Sequence, residues 1–472
     1  MRYQPQFIYQ ILYQHLQFHP TKLQDKALKM LGLYLSNVQN NQIFVLKGYA
    51  GTGKTSLMKT VVESLPKFGL KPVLMAPTGR AAKVMVKYTR HKAYTIHKKI
   101  YTLQTNSEGR LFFRLKKNKN KNTIFIVDEA SMIPDADANG DMFNKSSLLL
   151  DLINYVYTAQ GCKLILIGDT AQLPPVKLQL SPALDIGKLQ TISCKEILTI
   201  ELTEVMRQLK DAGILANATL LREMVNKREA VNFYFNTNYK DVICLSDGYD
   251  IQDALVTAFE KKQIEKSVFI VRSNKRATLY NRQIRTVILG QDNKIATGDF
   301  IMVVKNNYFW LSDTAAASFI ANGDICEIMR VRKTEDLYGF SFAEVTLRMV
   351  DYPEQHPFEA VIILDSLYSD VPSLTREQSS WLYHQIAKDY EDLQGFKKYL
   401  AIKNNKYFNA LQVKFAYAVT CHKAQGGQWE TVFVEKPYLP DGVSTPYYRW
   451  LYTAITRAGK KLYLIGFEHE QN

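Results

Sequence analysis

Gly48-Tyr49-Ala50-Gly51-Thr52-Gly53-Lys54-Thr55 is the stretch that decides the fold. It matches G-x-x-x-x-G-K-[ST] in full and follows the apolar run Ile43 to Leu46, which reads as a buried strand. Glycines let backbone N–H groups turn inward on phosphate oxygens, and the helix that follows adds its positive N-terminal end. Lys54 offsets charge on the β- and γ-phosphates, and Thr55 coordinates Mg²⁺. Gly48, Ala50, Gly51, Thr52, Gly53, Lys54, Thr55 and Ser56 are thus expected to hold ATP with Mg²⁺.

Working outward, Val73 to Met75, Ile124 to Val127 and Leu164 to Ile167 are further apolar runs that end at polar or Gly-containing turns. Asp128-Glu129-Ala130-Ser131 follows the second of them. One carboxylate there suits the metal through its water shell, and its neighbour can orient and deprotonate the attacking water. Asp128 is assigned to Mg²⁺ and Glu129 to the base. Gly168 to Leu173 follows another run, so a third strand end delivers polar groups to one sheet edge, and Gln172 is placed to sense the γ-phosphate. Gln24 precedes the loop by about one helix and strand, where its amide can pair with an adenine edge. No Asn-Lys-x-Asp sequence of the kind that reads guanine occurs.

Val268 to Val271, Val432 to Val434 and Leu462 to Ile465 repeat the strand pattern, so two α/β lobes with parallel sheets are expected. The first lobe is read as 1–97 and 123–185, interrupted at 98–122 by a β-hairpin whose arms are Ile100 to Gln104 and Arg110 to Leu115. The second is read as 186–289 and 405–472. Between its parts, 290–404 carries turn signals at Thr297-Gly298-Asp299 and Asn322-Gly323-Asp324, the mark of a β-barrel insertion. A helical stretch is expected around Glu377 to Tyr399.

The 472 residues carry 60 Lys and Arg against 45 Asp and Glu, a formal charge of +15 that favours a polyanionic partner. Aromatic residues at 12% leave rings to stack on bases. Cys162, Cys194, Cys244, Cys326 and Cys421 are scattered, without the C-x-x-C pairs of a zinc or iron–sulfur site, which fits a reducing compartment. Met1 to Pro20 lacks the apolar stretch of a signal peptide, and no later run suits a bilayer span. A soluble, cytoplasmic protein without membrane association is expected.

Taken in order, Gln24, Gly48 to Thr55, Ala76-Pro77-Thr78-Gly79-Arg80-Ala81-Ala82, Thr95-Ile96-His97, Asp128 to Ser131, Gly168 to Val176, Arg207-Gln208, Thr420-Cys421-His422-Lys423-Ala424-Gln425-Gly426 and Thr453-Ala454-Ile455-Thr456-Arg457-Ala458 form a set. This set resembles the superfamily 1B DNA helicases, the RecD/Dda/Pif1 branch, from near residue 20 to near 466. The resemblance implies two RecA-like P-loop lobes, with an SH3-like barrel inserted in the second. Pro77, Thr78, Arg80 and His97 in the first lobe, with Thr420 and His422 in the second, are implied to contact the DNA backbone. Gln425 and Gly426 join the ATP set. Arg207 and Arg457 are implied to be arginine fingers, and with Lys54, Glu129 and Gln172 they complete the catalytic group. Phe112 or Phe113 on the hairpin is implied to stack on or split the first base pair ahead, and Lys116 to Lys121 to attract the incoming duplex. Many relatives have an acidic residue soon after the later Gln-Gly, where this chain has Gly427-Gln428-Trp429-Glu430, so the ribose contact near Gln428 is left open.

The expectation is an ATP-dependent helicase that moves along single-stranded DNA, 5′ to 3′ by resemblance, and acts as a monomer at junctions of single- and double-stranded DNA. RNA stands as an alternative strand. Two other readings compete: an ATP-gated clamp that separates no strands, and a P-loop kinase indifferent to DNA.

Overall fold

The apolar runs form the middle strands of two parallel sheets in the computed structural model, which describes residues 3–37, 39, 41–105, 111–134, 147–206, 212–227, 231–260, 264–311 and 319–468. In the first lobe, β1 (Gln42–Gly48), β2 (Lys71–Ala76), β3 (Ala93–Thr95), β6 (Thr123–Val127), β7 (Lys163–Gly168) and β8 (Glu196–Leu202) lie in the order β3-β2-β6-β7-β1-β8, every pair parallel. Both faces are covered. Phe44, Leu46, Ile124, Ile126, Ile165 and Ile167 point into one core. Ile43, Val45, Phe125, Val127, Leu164 and Leu166 point into the other. This explains why these strands read as continuous apolar runs instead of alternating ones.

β6, β7 and β1 are neighbours, so the segments after their C-terminal ends share one edge. Those segments are Asp128-Glu129, Asp169 to Leu173 and the phosphate loop. The hairpin is present as β4 (Tyr101–Thr105) paired antiparallel with β5 (Leu111–Leu115); of 103–105 and 111–113 only the backbone is described.

The second sheet runs β16 (Ala418–Thr420), β10 (Ser267–Val271), β17 (Trp429–Glu435), β18 (Ala458–Ile465), β9 (Val242–Leu245), again parallel throughout. Between β10 and β16, a closed barrel comprises β11 (Phe300–Val303), β12 (Ile325–Leu337), β13 (Phe340–Met349), β14 (Phe358–Ile363) and β15 (Leu411–Phe415). Entry and exit strands are bonded neighbours, Ile301 opposite Phe415. At that neck the buried Arg285 guanidinium donates to both Asp299 oxygens, at 2.8 and 2.9 Å, and the Tyr417 hydroxyl donates to Asp299 Oδ1 at 3.0 Å.

Two expected boundaries move. β8 pairs with β1, so the segment from 186 to Leu202 belongs to the first lobe and the 185/186 division is too early. β15 closes the barrel, so the insertion runs from Phe300 to Phe415 and not from 290 to 404. The helical stretch expected over Glu377 to Tyr399 is two helices, Arg376–Lys388 and Gly395–Lys403. Gly395 has φ 57, a left-handed conformation that a continuous helix does not accommodate. Both helices pack outside the barrel through Leu382, Ile386 and Ile402 against Phe342 and Ile363. No helix among the described residues is long and apolar enough to cross a membrane.

Candidate nucleotide site and strand track

The phosphate loop is folded around its own lysine. Gly51 and Gly53 have φ 75 and 83, and Lys54 Nζ donates to the carbonyls of Gly48 at 2.5 Å and Tyr49 at 2.8 Å. Asp169 Oδ2 lies 3.9 Å from the same ammonium. Thr52 bonds Tyr49 O from its hydroxyl at 2.8 Å and is fully buried. Thr55 is exposed into the cleft over the loop, which Ser56, Asp128, Glu129 and Gln172 also line.

Asp128 is held from two sides: Oδ1 accepts from Glu129 N and Oδ2 from the Tyr88 hydroxyl, each at 2.8 Å. Tyr88 was not singled out from the sequence, because nothing local links it to a residue forty positions on. Glu129 adopts φ 54, an uncommon conformation for a side-chain-bearing residue, and it turns the carboxylate into the cleft. Burial raises its pKa, while Arg457 opposes that shift. Gln172 is 7% exposed, and its Oε1 is buried with no partner. Such an acceptor is costly unless something donates to it. Hydroxyl, carboxylate, lysine and N–H donors on one edge fit a nucleotide with Mg²⁺.

The second lobe closes the cleft. Arg457 Nη1 stands 3.8 Å from Glu129 Oε1, and the guanidinium is fixed by the carbonyls of Thr453 at 3.1 Å and Gly427 at 3.3 Å. Gly426 lines the cleft with φ 73; a Cβ there would meet Ala81 Cβ at 2.9 Å and Thr78 Oγ1 at 3.0 Å. Only glycine lets the lobes approach this closely. The Thr445–Ile455 helix contributes Arg449, which donates to the carbonyls of Thr170 and Gln172. It also contributes Tyr452 and Thr453, bonded to Asp169 and Leu173 N. Sequence reading stopped at Thr453, one turn short of Arg449; the helical spacing of 449, 453 and 457 is the signal that finds it.

Several expected roles change. Gln24 is fully buried, and it is the N3 residue of a capping box: Oε1 accepts from Thr21 N, and Nε2 donates to Thr52 O at 2.9 Å. It braces the loop from behind and is not turned toward a base edge in the cleft. Gln425 donates to Leu173 O at 2.7 Å and does not line the cleft. It ties the lobes together instead. Arg207 lies outside the described residues, as do the side chains of Phe112 and Phe113.

Along the expected strand track, Pro77 is half-buried at the end of β2, and Thr78 caps the Gly79–Thr89 helix, accepting from Ala81 N at 3.2 Å. Arg80 is not open to a strand: its Cζ sits 3.9 Å above the Trp429 ring, and Nη1 is buried without a partner. The barrel covers this corner. Asp324 Oδ1 lies where a Cβ on Gly79 would come within 2.7 Å, and Lys83 reaches Val350 O at 2.7 Å and Asp351 Oδ1 at 3.3 Å. His97 packs on Tyr101, and burial holds its pKa down to about 4, so it is a neutral ring. Thr420 ends β16, and His422 is exposed next to it, with its pKa lowered by partial burial.

Residues 35–239 match the AAA domain family, and 415–465 match the UvrD-like helicase C-terminal domain. An uncharacterized protein of Methanocaldococcus jannaschii is 26% identical over 95% of this chain and 38% of its own length. The chain thus spans well under half of that relative. An ATP-dependent RecD2 DNA helicase of Deinococcus radiodurans is 33% identical over 37% of this chain and 21% of its own. The ATP-dependent DNA helicase dda of Enterobacteria phage T4 is 24% identical over 87% of this chain and 92% of its own.

Proposed function

We propose that this chain, which belongs to the superfamily 1B helicases of the RecD/Dda/Pif1 branch, is an ATP-driven motor that moves 5′ to 3′ on single-stranded DNA and separates duplex strands. The observation that carries the reading is the approach of Arg457, from the second lobe, to Glu129 in the first. A hydrolytic site assembled from both lobes makes turnover depend on their closure, which is what a motor needs.

Lys54 leaves the Gly48 and Tyr49 carbonyls to meet the β- and γ-phosphates. Thr55, with Asp128 through water, would hold Mg²⁺, which would neutralise phosphate charge. Glu129 accepts the proton of the attacking water, and Gln172 Oε1 orients that water. Arg457, joined by Arg207, stabilises the charge that develops on the transferred group. Pro77 and Thr78 hold the strand on one lobe and Thr420 and His422 on the other, so closing and opening alternate the grip; Arg80, stacked on Trp429, and His97, packed on Tyr101, stand outside that track. The net charge of +15 supports a nucleic-acid partner. The motor works as a monomer at a junction, with one of the hairpin aromatics, Phe112 or Phe113, at the first base pair.

Unwinding of duplexes carrying only a 5′ or only a 3′ tail, with and without ATP, tests this. ATP-dependent strand release from the 5′-tailed duplex is expected. Release confined to 3′ tails overturns the polarity, and strand-stimulated hydrolysis with no release on either substrate identifies a clamp.

A further inference from the structure

Tyr452, on the Thr445–Ile455 helix, hydrogen-bonds both the phosphate loop and the Asp169 to Leu173 loop. Its side chain is 1% exposed. The hydroxyl accepts from Ala50 N at 2.7 Å and donates to Asp169 Oδ2 at 2.7 Å. Only one proton arrangement satisfies both bonds, because an amide N–H has nothing but a proton to give and the tyrosine proton must then point at the carboxylate. Asp169 Oδ1 accepts from Ala171 N at 2.9 Å. The carboxylate is therefore aimed by one bond from its own loop and one from the opposite lobe.

That aim matters on both sides. Asp169 Oδ2 is the atom 3.9 Å from Lys54 Nζ, and three residues on lies Gln172, whose amide oxygen has no partner. Ala50 N–H belongs to a loop whose amides serve phosphate oxygens, so the hydroxyl oxygen stands where an anionic oxygen can bind. Tyr49, next in the chain, is gripped by the same lobe: Arg222 lies 4.7 Å over its ring. The second lobe thus holds two consecutive residues of the phosphate loop.

We infer that Tyr452 is a positioning residue, which aligns Asp169 and the Gln172 loop with the phosphate loop and yields Ala50 N–H to phosphate when nucleotide enters. The inference rests on the reading of the cleft as an ATPase site. Tyr452→Phe keeps the ring and removes only the hydroxyl. In the full chain with single-stranded DNA, kcat for ATP falls by about ten- to a hundred-fold, the scale of a small misplacement in an active site, and KM does not rise. Because Tyr452 acts through Asp169, the Tyr452→Phe/Asp169→Asn double variant is no slower than Asp169→Asn. A purely packing role predicts instead a raised KM and losses that multiply in the double variant. Either result, or a kcat within two-fold of the unsubstituted chain, overturns the assignment. Calorimetric binding of the β,γ-imido analogue of ATP needs no turnover: affinity rises in Tyr452→Phe because Ala50 N–H is freed, and unchanged or weaker affinity overturns the inference. A chain that binds the analogue in this way yet hydrolyses no ATP sinks the motor reading while leaving Tyr452 judged by binding.

Discussion

Arg457 and Glu129, on opposite lobes, stand 3.8 Å apart with the arginine buried to 6% exposure and fixed by two backbone carbonyls. A guanidinium placed this way opposes the burial-driven rise of the glutamate pKa, and in the proposed reaction it would meet the charge of the reacting phosphate. Arg457→Ala is expected to lower strand-stimulated kcat by about 10³-fold or more, the range of an arginine finger, with little change in KM. Steady-state hydrolysis at saturating DNA measures it, and a loss below ten-fold removes Arg457 from the role.

Gln24→Ala tests whether the amide braces the loop or reads a base. It removes a cap partner and leaves Thr52 O without its side-chain donor, so a loss of about 1–3 kcal/mol in unfolding free energy is expected. The preference for ATP over GTP stays as it was. Denaturant unfolding and paired turnover assays separate the two roles, since a base reader changes preference without that loss of stability.

Asp324 makes the barrel contact on Gly79 sensitive to pH. Burial, with Asp351 nearby, raises its carboxyl from 3.8 to about 7. A carboxyl raised on folding contributes most below its unfolded value and loses that contribution as pH climbs to the folded one. Stability therefore falls by up to about 1.4 kcal/mol per pH unit from this group across that window. The thermal midpoint of the unsubstituted chain relative to Asp324→Asn should drop between pH 5 and 7 in scanning calorimetry. A constant difference refutes the shift.

The neck of the barrel rests on a buried ion pair, with Arg285 and Asp299 side chains 3% and 1% exposed. Asp299→Ala leaves the guanidinium buried without its carboxylate, at a cost of about 3–5 kcal/mol. Arg285→Met with Asp299→Leu, which removes both charges, is expected to recover much of that. Equal destabilisation by the single and double variants in denaturant melts argues that packing, not charge, governs the neck.

The phosphate loop and its carboxylates were legible because each lies beside its own strand: Ile43 to Leu46 announces Lys54, and Ile124 to Val127 announces Asp128 and Glu129. Strands with a less uniform burial were harder. β8 exposes Glu196 and Thr199 and buries only Ile200 and Leu202, so no continuous run marks it and the first lobe was ended too soon. β15 is separated from the other barrel strands by three helices, and nothing local ties Phe415 to Ile301. Gln24 shows a related limit. Its spacing from Thr21 is a helix-start signature that sequence shows, whereas its proximity to Thr52 depends on tertiary packing. Tyr88 and Tyr452 likewise gain meaning only from partners brought near by folding.

The pairing of Ile301 with Phe415 bears on ancestry and on protein engineering. Because the barrel leaves and rejoins the second lobe at adjacent points, joining Asp299 to Ala416 through a short turn excises it without parting the flanking strands. The barrel is in that sense a detachable cassette: its gain, loss or exchange among lineages need not redraw the sheet that carries it.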